Sequence, residues 1–182
     1  MSSVAITACT AIICALWVVV IIYIILEYKK SKNVCTISFK ETLELVEVPV
    51  ATFKIKAKNG KMMKMNFIID TGASSSFIDI NEVNKISEKC CKEYAQSESV
   101  CSAGGEIKAS ESTYMIEFGY DDYVFNTEFF AIDLTDVRSY TKTNYGVNIV
   151  GMIGSDFLNK ENTKIDYVEY RLKINCKKQI CN

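Results

Sequence analysis

The stretch that decides the fold reads Phe67-Ile68-Ile69-Asp70-Thr71-Gly72-Ala73-Ser74, an apolar run that stops abruptly on a carboxylate, a hydroxyl and a glycine. An ionisable group at the end of a buried strand is costly unless it is hydrogen-bonded or used in chemistry. Gly72 permits a tight turn and lets another chain or a ligand approach the backbone, which a side chain would prevent. The stretch therefore indicates that Asp70 is a carboxylate held in place for chemistry.

The composition limits the chain to one compact domain and excludes several classes of catalytic and metal site. The 182 residues are 49% apolar, enough for one membrane segment and one domain of about 140 to 150 residues. The absence of histidine excludes Ser-His-Asp and Cys-His catalysis and histidine-based metal sites. A net charge of −1 with lysines dispersed along the sequence argues against a nucleic-acid partner. The catalytic groups that the composition leaves are carboxylate, cysteine and lysine side chains.

The eight cysteines do not predict a metal site. Cys9 and Cys14 lie in an apolar segment, where a small and soft side chain packs well. The other six form no Cys-x-x-Cys pair, so we expect no structural zinc and no other cofactor. Their spacing is compatible both with thiols and with disulfides.

The first 26 residues contain no charged side chain. From Val4 to Leu26 the chain is apolar and, at about 1.5 Å per residue, long enough to cross a hydrocarbon core of about 30 Å. The alternative, a cleaved signal peptide, requires a basic start, a shorter apolar core and a small-x-small cleavage site. The pattern predicts a retained transmembrane helix, with residues 1–30 as the anchor and its basic flank.

The charges beside this segment predict its orientation. Lys29, Lys30 and Lys32 follow the segment, and no basic side chain precedes it. By the positive-inside bias the C-terminal side faces the cytoplasm. We therefore expect a single-pass membrane protein whose catalytic domain is cytoplasmic and whose thiols are reduced.

Alternating apolar residues predict an all-β domain over residues 45–176, preceded by a linker over 31–44 and followed by a tail over 177–182. The runs Ala51–Ala57 and Met62–Asp70 flank Asn59-Gly60, a strong hairpin signal, so that Asp70 ends the second strand of the hairpin. A second hairpin is predicted around Gly119–Asp122.

The remaining segments carry weaker signals. The spacing predicts a short amphipathic helix over Asp79–Lys89 and a polar surface loop over Asp136–Asn148. Ile149–Gly154 contains Gly151 and predicts a strand whose backbone is approached closely. Ser155 is expected to cap the helical turn that follows, and Ile165–Ile174 to supply the last strands.

Four motifs in order resemble the single-domain, retropepsin-like aspartic proteases. That family pairs an Asp-Thr-Gly-Ala loop with a glycine-tipped flap, a later apolar-apolar-Gly-apolar-apolar-Gly strand, and a short helix with Phe-Leu. The corresponding residues here are Asp70-Thr71-Gly72-Ala73-Ser74, Ser102-Ala103-Gly104-Gly105, Ile149-Val150-Gly151-Met152-Ile153-Gly154 and Asp156-Phe157-Leu158. The resemblance spans Ala51 to about Ile174 and implies a closed six-stranded-type barrel with one or two short helices.

The resemblance also implies an activity, that of a membrane-tethered aspartic endopeptidase with Asp70 as its catalytic residue. In such enzymes two carboxyl groups share a proton, and together they activate a water and polarise the peptide carbonyl. This chain has one Asp-Thr-Gly, so the resemblance implies a homodimer in which each copy supplies one Asp70.

The same resemblance assigns roles to the neighbouring residues. Thr71 would hold the two loops together, Gly72, Ala73 and Ser74 would line the path of a peptide substrate, and Ser102–Gly105 would form a flap. Asp133, Asp156 and Asp166 are the other candidate acids, and we expect them to cap strands or a helix.

Two other functions stay open at this point. A domain of the same fold could be a catalytically silent module that binds peptides or organises a complex. A thiol redox protein would instead use Cys90, Cys91 or Cys101.

Overall fold

The computed structural model describes residues 13, 15–26, 34–89, 91–95, 100–102, 105–107 and 112–175. They fall in two units, Met1–Val34 and Cys35–Asn182. In the first unit residues 15–26 form helix α1, whose large apolar side chains are exposed. None of the helices within these ranges combines the length and the apolarity that a membrane span requires. Much of the predicted anchor with its basic flank, and all of the predicted tail, lie outside the described residues.

The second unit consists mainly of strands. In chain order the elements are β1 (Val34–Ser38), α2 (Lys40–Val46), β2 (Val50–Lys56), β3 (Met62–Ile69), β4 (Phe77–Asp79), α3 (Ile80–Val83), β5 (Cys91–Ala95), β6 (Val100–Ser102), β7 (Gly105–Ile107), β8 (Ser112–Tyr120), β9 (Tyr123–Ile132), α4 (Thr135–Tyr145), β10 (Ile149–Ile153), α5 (Ser155–Lys160), β11 (Lys164–Asp166) and β12 (Arg171–Asn175).

Six of these strands close into a barrel. They are hydrogen-bonded in the order β2-β3-β10-β4-β9-β8, and β8 returns to β2 at the Gly119–Lys54 pair. Strand β5 pairs with the first half of β8, and β1, β12 and β11 form a separate sheet. The predicted six-stranded barrel is therefore present, but the described residues of the domain form four helices, α2 to α5, and not one or two.

Phenylalanine rings fill the barrel. Their centroids lie 4.9 to 6.4 Å apart, a range in which aromatic pairs contribute about 0.5–1.5 kcal/mol each beyond the burial of their area. The strands supply these rings by alternation, since Phe53 and Ile55 point inward from β2 while Lys54 and Lys56 are exposed. The cluster comprises Phe53, Phe67, Phe118, Phe125, Phe129 and Phe157.

Both predicted hairpins are confirmed. Strands β2 and β3 pair antiparallel from Val50–Ile68 to Lys56–Met62, and Gly60 in the turn has a φ of +80°. Strands β8 and β9 pair antiparallel from Thr113–Phe130 to Tyr120–Tyr123, with Asp121 in the turn. Asp70 accordingly follows the second strand of the first hairpin.

Strand β10 lies between β3, to which it runs parallel, and β4, to which it runs antiparallel. A Cβ at Gly151 would lie 2.5 Å from the carbonyl oxygen of Phe77 and 2.7 Å from the ring of Phe67. The close backbone approach that Gly151 predicts is therefore present, and it brings β10 beside the strand that carries Asp70.

The segment before the first hairpin differs from the predicted linker. Residues 34–46 form β1 and α2, and Cys35, Ile37 and Phe39 are at most 1% exposed and belong to the core. The alternation in β1 covers five residues, too few to predict a strand. Its partner is β12, at the other end of the chain. The residues around β1 therefore do not reveal this pairing.

The polarity of residues 136–148 predicts a loop, but Thr135–Tyr145 form helix α4. Arg138 holds this helix, because its guanidinium lies 2.6 Å from the carboxylates of both Asp79 and Glu82, which are buried. Gly146, with a φ of +69°, ends the helix. A helix that ion pairs hold to a distant segment needs no apolar periodicity. This explains why the apolar pattern of the sequence does not predict α4.

The helix predicted over Asp79–Lys89 is shorter in the structure. Asp79 is its N-cap, and α3 ends at Val83. Beyond it Ser87 donates a 2.8 Å hydrogen bond to the carbonyl oxygen of Lys56, and Ile86 forms a β-bridge with Ala57. Pairing with the end of β2 therefore replaces the later turns of the helix.

We expect Gly151→Ala to lower the free energy of unfolding by about 2–3 kcal/mol, because the added methyl meets backbone and a buried ring that cannot move aside. Gly60→Ala is the matched control. Its Cβ would meet nothing within 4 Å, so only the left-handed backbone costs energy, about 1 kcal/mol. Urea denaturation of the full chain measures both, and equal losses would contradict the close approach at Gly151.

Candidate active site

Asp70 directly follows β3 and starts the tight turn of Thr71 and Gly72. Its Oδ1 accepts a 2.8 Å hydrogen bond from the N–H of Gly72, and its own N–H donates a 3.0 Å hydrogen bond to the carbonyl oxygen of Ile153. A Cβ at Gly72 would lie 3.2 Å from Oδ1, so a side chain there would crowd the carboxylate. Asp70 is half-buried, and in the described part of the chain its Oδ2 has no hydrogen-bond partner.

The loop that carries Asp70 rests on the start of α5. The N–H of Ser155 donates a 2.8 Å hydrogen bond to the carbonyl oxygen of Ala73, and its Oγ donates one of 2.9 Å to that of Thr71. A Cβ at Gly154 would lie 2.4 Å from the carbonyl oxygen of Ser75. Only glycine allows this contact, so Gly154 sets how closely the loop packs on α5.

Ser155 differs from its expected role. Gly154 occupies the N-cap position of α5, and Ser155 is the first residue of the helix. Its hydroxyl bonds to Thr71, 84 residues earlier in the chain. The serine therefore braces the loop of Asp70 and does not cap its own helix.

A buried pair, Ser76 and Asp156, joins the other end of the loop to α5. Ser76 is 0% exposed, and its Oγ donates a 2.7 Å hydrogen bond to Oδ1 of Asp156 while accepting one of 3.0 Å from the N–H of Gly154. The N–H of Ser76 donates to Oδ2 of Asp156 at 3.0 Å, and the N–H of Phe157 donates to Oδ1 at 2.8 Å. Both carboxylate oxygens are thus engaged, and Asp156 fixes the loop as well as the start of the helix.

The structure brings the two sequence motifs together. Gly151 is paired with Phe67 and Ile153 with Ile69, so β10 ends beside Asp70. Ile149, Val150, Gly151, Ile153 and Gly154 are all buried. On the loop itself Thr71, Gly72 and Ser74 are exposed, whereas Ala73 is 8% exposed and packs with Phe77.

The predicted flap is described only at its base. Strands β6 and β7 form an antiparallel pair in which Ser102 is opposite Gly105. Ala103 and Gly104, the predicted tip, lie outside the described residues. The flap stays a prediction.

Asp133 and Asp166 stabilise turns by accepting hydrogen bonds from nearby backbone N–H groups. Hydrogen bonds from the side chain and backbone of Thr135 lower the pKa of Asp133. Hydrogen bonds from the backbone of Glu169 and from Lys173 lower the pKa of Asp166. Each carboxylate accepts hydrogen bonds from N–H groups two or three residues further along the chain, and none of these bonds involves Asp70.

Behind the site, Arg138 and two acids form a second buried cluster that the sequence did not indicate. Burial alone would lower the pKa of Arg138, but its hydrogen bonds and charge interactions with Asp79 and Glu82 outweigh burial and raise it. Asp79 ends β4, the strand that begins one residue after Ser76. The cluster therefore holds α4 against the strand that leaves the loop.

Among the described residues, Asp70 is a single carboxylate without a carboxylate partner. Among the described residues no second carboxylate is hydrogen-bonded to Asp70, and no three His, Cys, Asp or Glu side chains converge on one point. One carboxylate can accept a proton from water, but hydrolysis of an amide also needs an acid to polarise the carbonyl.

We expect Asp156→Ala to lower the free energy of unfolding by about 2–4 kcal/mol, since it removes the acceptor of three hydrogen bonds and leaves the Ser76 hydroxyl buried with a donor unpaired. Asp136→Ala is the matched control because Asp136 lies in the first turn of α4 and is exposed. It should cost less than about 1 kcal/mol. Thermal unfolding of the two variants compares them, and a similar loss in both would refute the bracing role.

Comparison with solved structures found weak likenesses, among them two proteases. EIAV protease complexed with the inhibitor HBY-793 is 16% identical, with a TM-score of 0.44 over 65% of this chain and 92% of that chain. A retropepsin-like aspartic protease from Rickettsia conorii is 17% identical, with a TM-score of 0.44 over 79% of this chain and 90% of that chain. Neither the protein-family models nor the curated protein sequences gave a match. At such scores the function has to be inferred from the chain's own residues.

Proposed function

We propose that the chain is an aspartic endopeptidase that works as a homodimer and is tethered to a membrane by its N-terminal segment. The observation that carries the proposal is the position of Asp70. Its carboxylate is fixed through Oδ1 by Gly72, while Oδ2 is unengaged among the described residues. It lies on a loop whose residues Thr71 and Gly72 are exposed, where a second copy and a substrate can both reach it.

Two Asp70 carboxyl groups that meet across a two-fold axis cannot both ionise at low cost, so they share one proton. The ionised group takes a proton from a water molecule, whose oxygen attacks the carbonyl carbon of the peptide. The protonated group gives its proton to the carbonyl oxygen, which yields a tetrahedral intermediate. Transfer of a proton to the amide nitrogen then releases the two product chains. The chemistry needs no metal or covalent intermediate.

Rigidity of the loop supports this chemistry, because a proton-sharing pair works only within a narrow range of separations. The loop is braced at Thr71 and Ala73 by Ser155, and at Ser76 by Asp156. A carboxylate that has lost its own freedom of movement keeps its place when a partner arrives. These braces are the feature expected of a catalytic loop and are not needed by an ordinary surface turn.

The proposed membrane tether is supported by the sequence and by the exposure of apolar side chains on α1. The side chains of Trp17, Val18, Ile22 and Leu26 on α1 are 51 to 64% exposed, and an uncharged apolar helix of this kind needs an apolar cover such as lipid. Lys29 and its basic neighbours favour a cytoplasmic position for the domain. Confinement to a plane raises the local concentration of the two copies, so a weak dimer can be controlled by its density in the membrane.

The test uses the full chain in lipid nanodiscs with a peptide library over acidic to neutral pH. We expect cleavage by the wild type, inhibition by a pepstatin-type compound, and a loss of roughly 10²–10⁴-fold or more in kcat/KM for Asp70→Asn. Asp136→Asn removes an exposed carboxylate elsewhere and should leave the rate unchanged.

Two outcomes would overturn the proposal. Cleavage that persists in Asp70→Asn would show that another group carries the reaction. Peptide binding without cleavage, in wild type and variant alike, would assign the domain to the catalytically silent peptide-binding modules.

A further inference from the structure

The β2–β3 hairpin concentrates positive charge that is dispersed in the sequence. Between Val50 and Ile69 there are five lysines and no acidic residue. All five are exposed. We call this set the lysine face: Lys54, Lys56, Lys58, Lys61 and Lys64.

The pairing of the strands places these charges side by side. Lys54 is directly opposite Lys64, and Lys56 is opposite Met62, so these four side chains share one face of the sheet. Lys58 and Lys61 lie in the turn that joins the strands. Like charges directly opposite one another destabilise an antiparallel pair, so the lysine face carries a cost within the isolated domain.

Among the described residues, no acidic side chain forms an ion pair with the lysine face. The ion pairs in this part of the chain involve Lys85, Arg138, Arg171 and Lys173, and none involves the five lysines. The full chain has a net charge of −1. Removing the five hairpin charges from that total leaves −6 for the other residues. The hairpin is therefore a local cationic surface on an otherwise acidic chain.

We propose that the lysine face docks on anionic lipid headgroups of the membrane to which the chain is tethered. Lysine is a flexible point charge, suited to a diffuse negative surface. Recognition of nucleic acid or of single phosphates instead favours arginine forks and aromatic stacking, and neither arginine nor an exposed aromatic side chain lies between Val50 and Ile69. Met62, 59% exposed beside Lys56, adds a flexible apolar side chain suited to the headgroup boundary.

The length of the connection supports this occupant, and here the inference rests on the proposed tether. Seven residues, 27–33, lie in the sequence between the last described residue of α1 and Val34, and seven residues span at most about 25 Å even when fully extended. A domain of this size has a radius of gyration of about 15 Å. A tether this short in relation to the domain raises the local concentration of headgroups around it, and each lysine that approaches an anionic surface strengthens binding about fivefold.

Docking has a consequence for the proposed enzyme. A domain held by one face keeps a fixed orientation to the membrane, and two such domains in one membrane share it. The meeting of two Asp70 loops across a two-fold axis requires this kind of alignment. Anionic lipid would then favour assembly of the dimer without touching the active site.

The test is amine footprinting of the full chain in nanodiscs of phosphatidylcholine, with and without about 30% phosphatidylserine. A water-soluble acetylating reagent labels the lysines, and mass spectrometry gives the rate for each one. We expect the five lysines of the lysine face to react roughly fivefold more slowly on the anionic discs in about 0.05 M salt, and the difference to vanish in about 0.5 M salt. Lys142 and Lys164, which are exposed elsewhere, are internal controls whose rates should not change.

Two variants sharpen the test. K54Q/K64Q should reduce the protection that remains at Lys56, Lys58 and Lys61, whereas K142Q/K164Q should leave it intact. Equal labelling of the lysine face on both kinds of disc would overturn the proposal. Protection by soluble polyglutamate but not by anionic discs would also overturn it, and would assign the face to an acidic polypeptide.

The same experiment tests the docking of the lysine face independently of the proposed tether and of the proposed catalysis. Failure of the full chain to enter phosphatidylcholine discs would count against the tether alone. The labelling is then done with added vesicles of the same two compositions, and the same criterion decides on the lysine face. Neither readout depends on peptide cleavage.

Discussion

The structure depends on how closely three stretches of backbone approach one another at β10. Strand β10 fits between β3 and β4 only because Gly151 has no side chain to meet Phe77 and Phe67. Where the strand ends, Gly154 lets the loop after Asp70 lie against α5. The two glycines thus determine that a carboxylate in the first half of the domain is supported by elements of the second half.

The rest of the domain stabilises this contact. The barrel gives β3 and β10 a rigid aromatic interior, and Ser76, Ser155 and Asp156 bind the loop to α5 with hydrogen bonds that span about 80 residues of sequence. On the far side of β4, Arg138 joins α4 to Asp79 and Glu82. Each of these groups has its partners within the chain. The Oδ2 of Asp70 stands out because, among the described residues, it has none.

The sequence predicts those parts of this arrangement that are determined locally. A hairpin is recognisable from Asn59-Gly60 because the turn itself demands these residues, and Gly151 indicates a close approach because no other residue tolerates one. Helix α4 and strand β1 escape prediction because their partners, Asp79 and β12, are distant in the chain. Ser76 and Asp156 are ordinary loop and helix residues until folding buries them together, and the lysine face exists only once β2 and β3 pair.

The proposed catalysis needs one Asp70 from each of two copies. The most direct measurement mixes wild-type chain with increasing fractions of Asp70→Asn at constant total protein, allows the subunits to exchange, and records peptide cleavage. If each active site needs two intact acids, activity follows the square of the wild-type fraction and falls to about a quarter at an equal mixture. A linear fall, to about half, would mean that a single chain carries a complete site and would contradict the account.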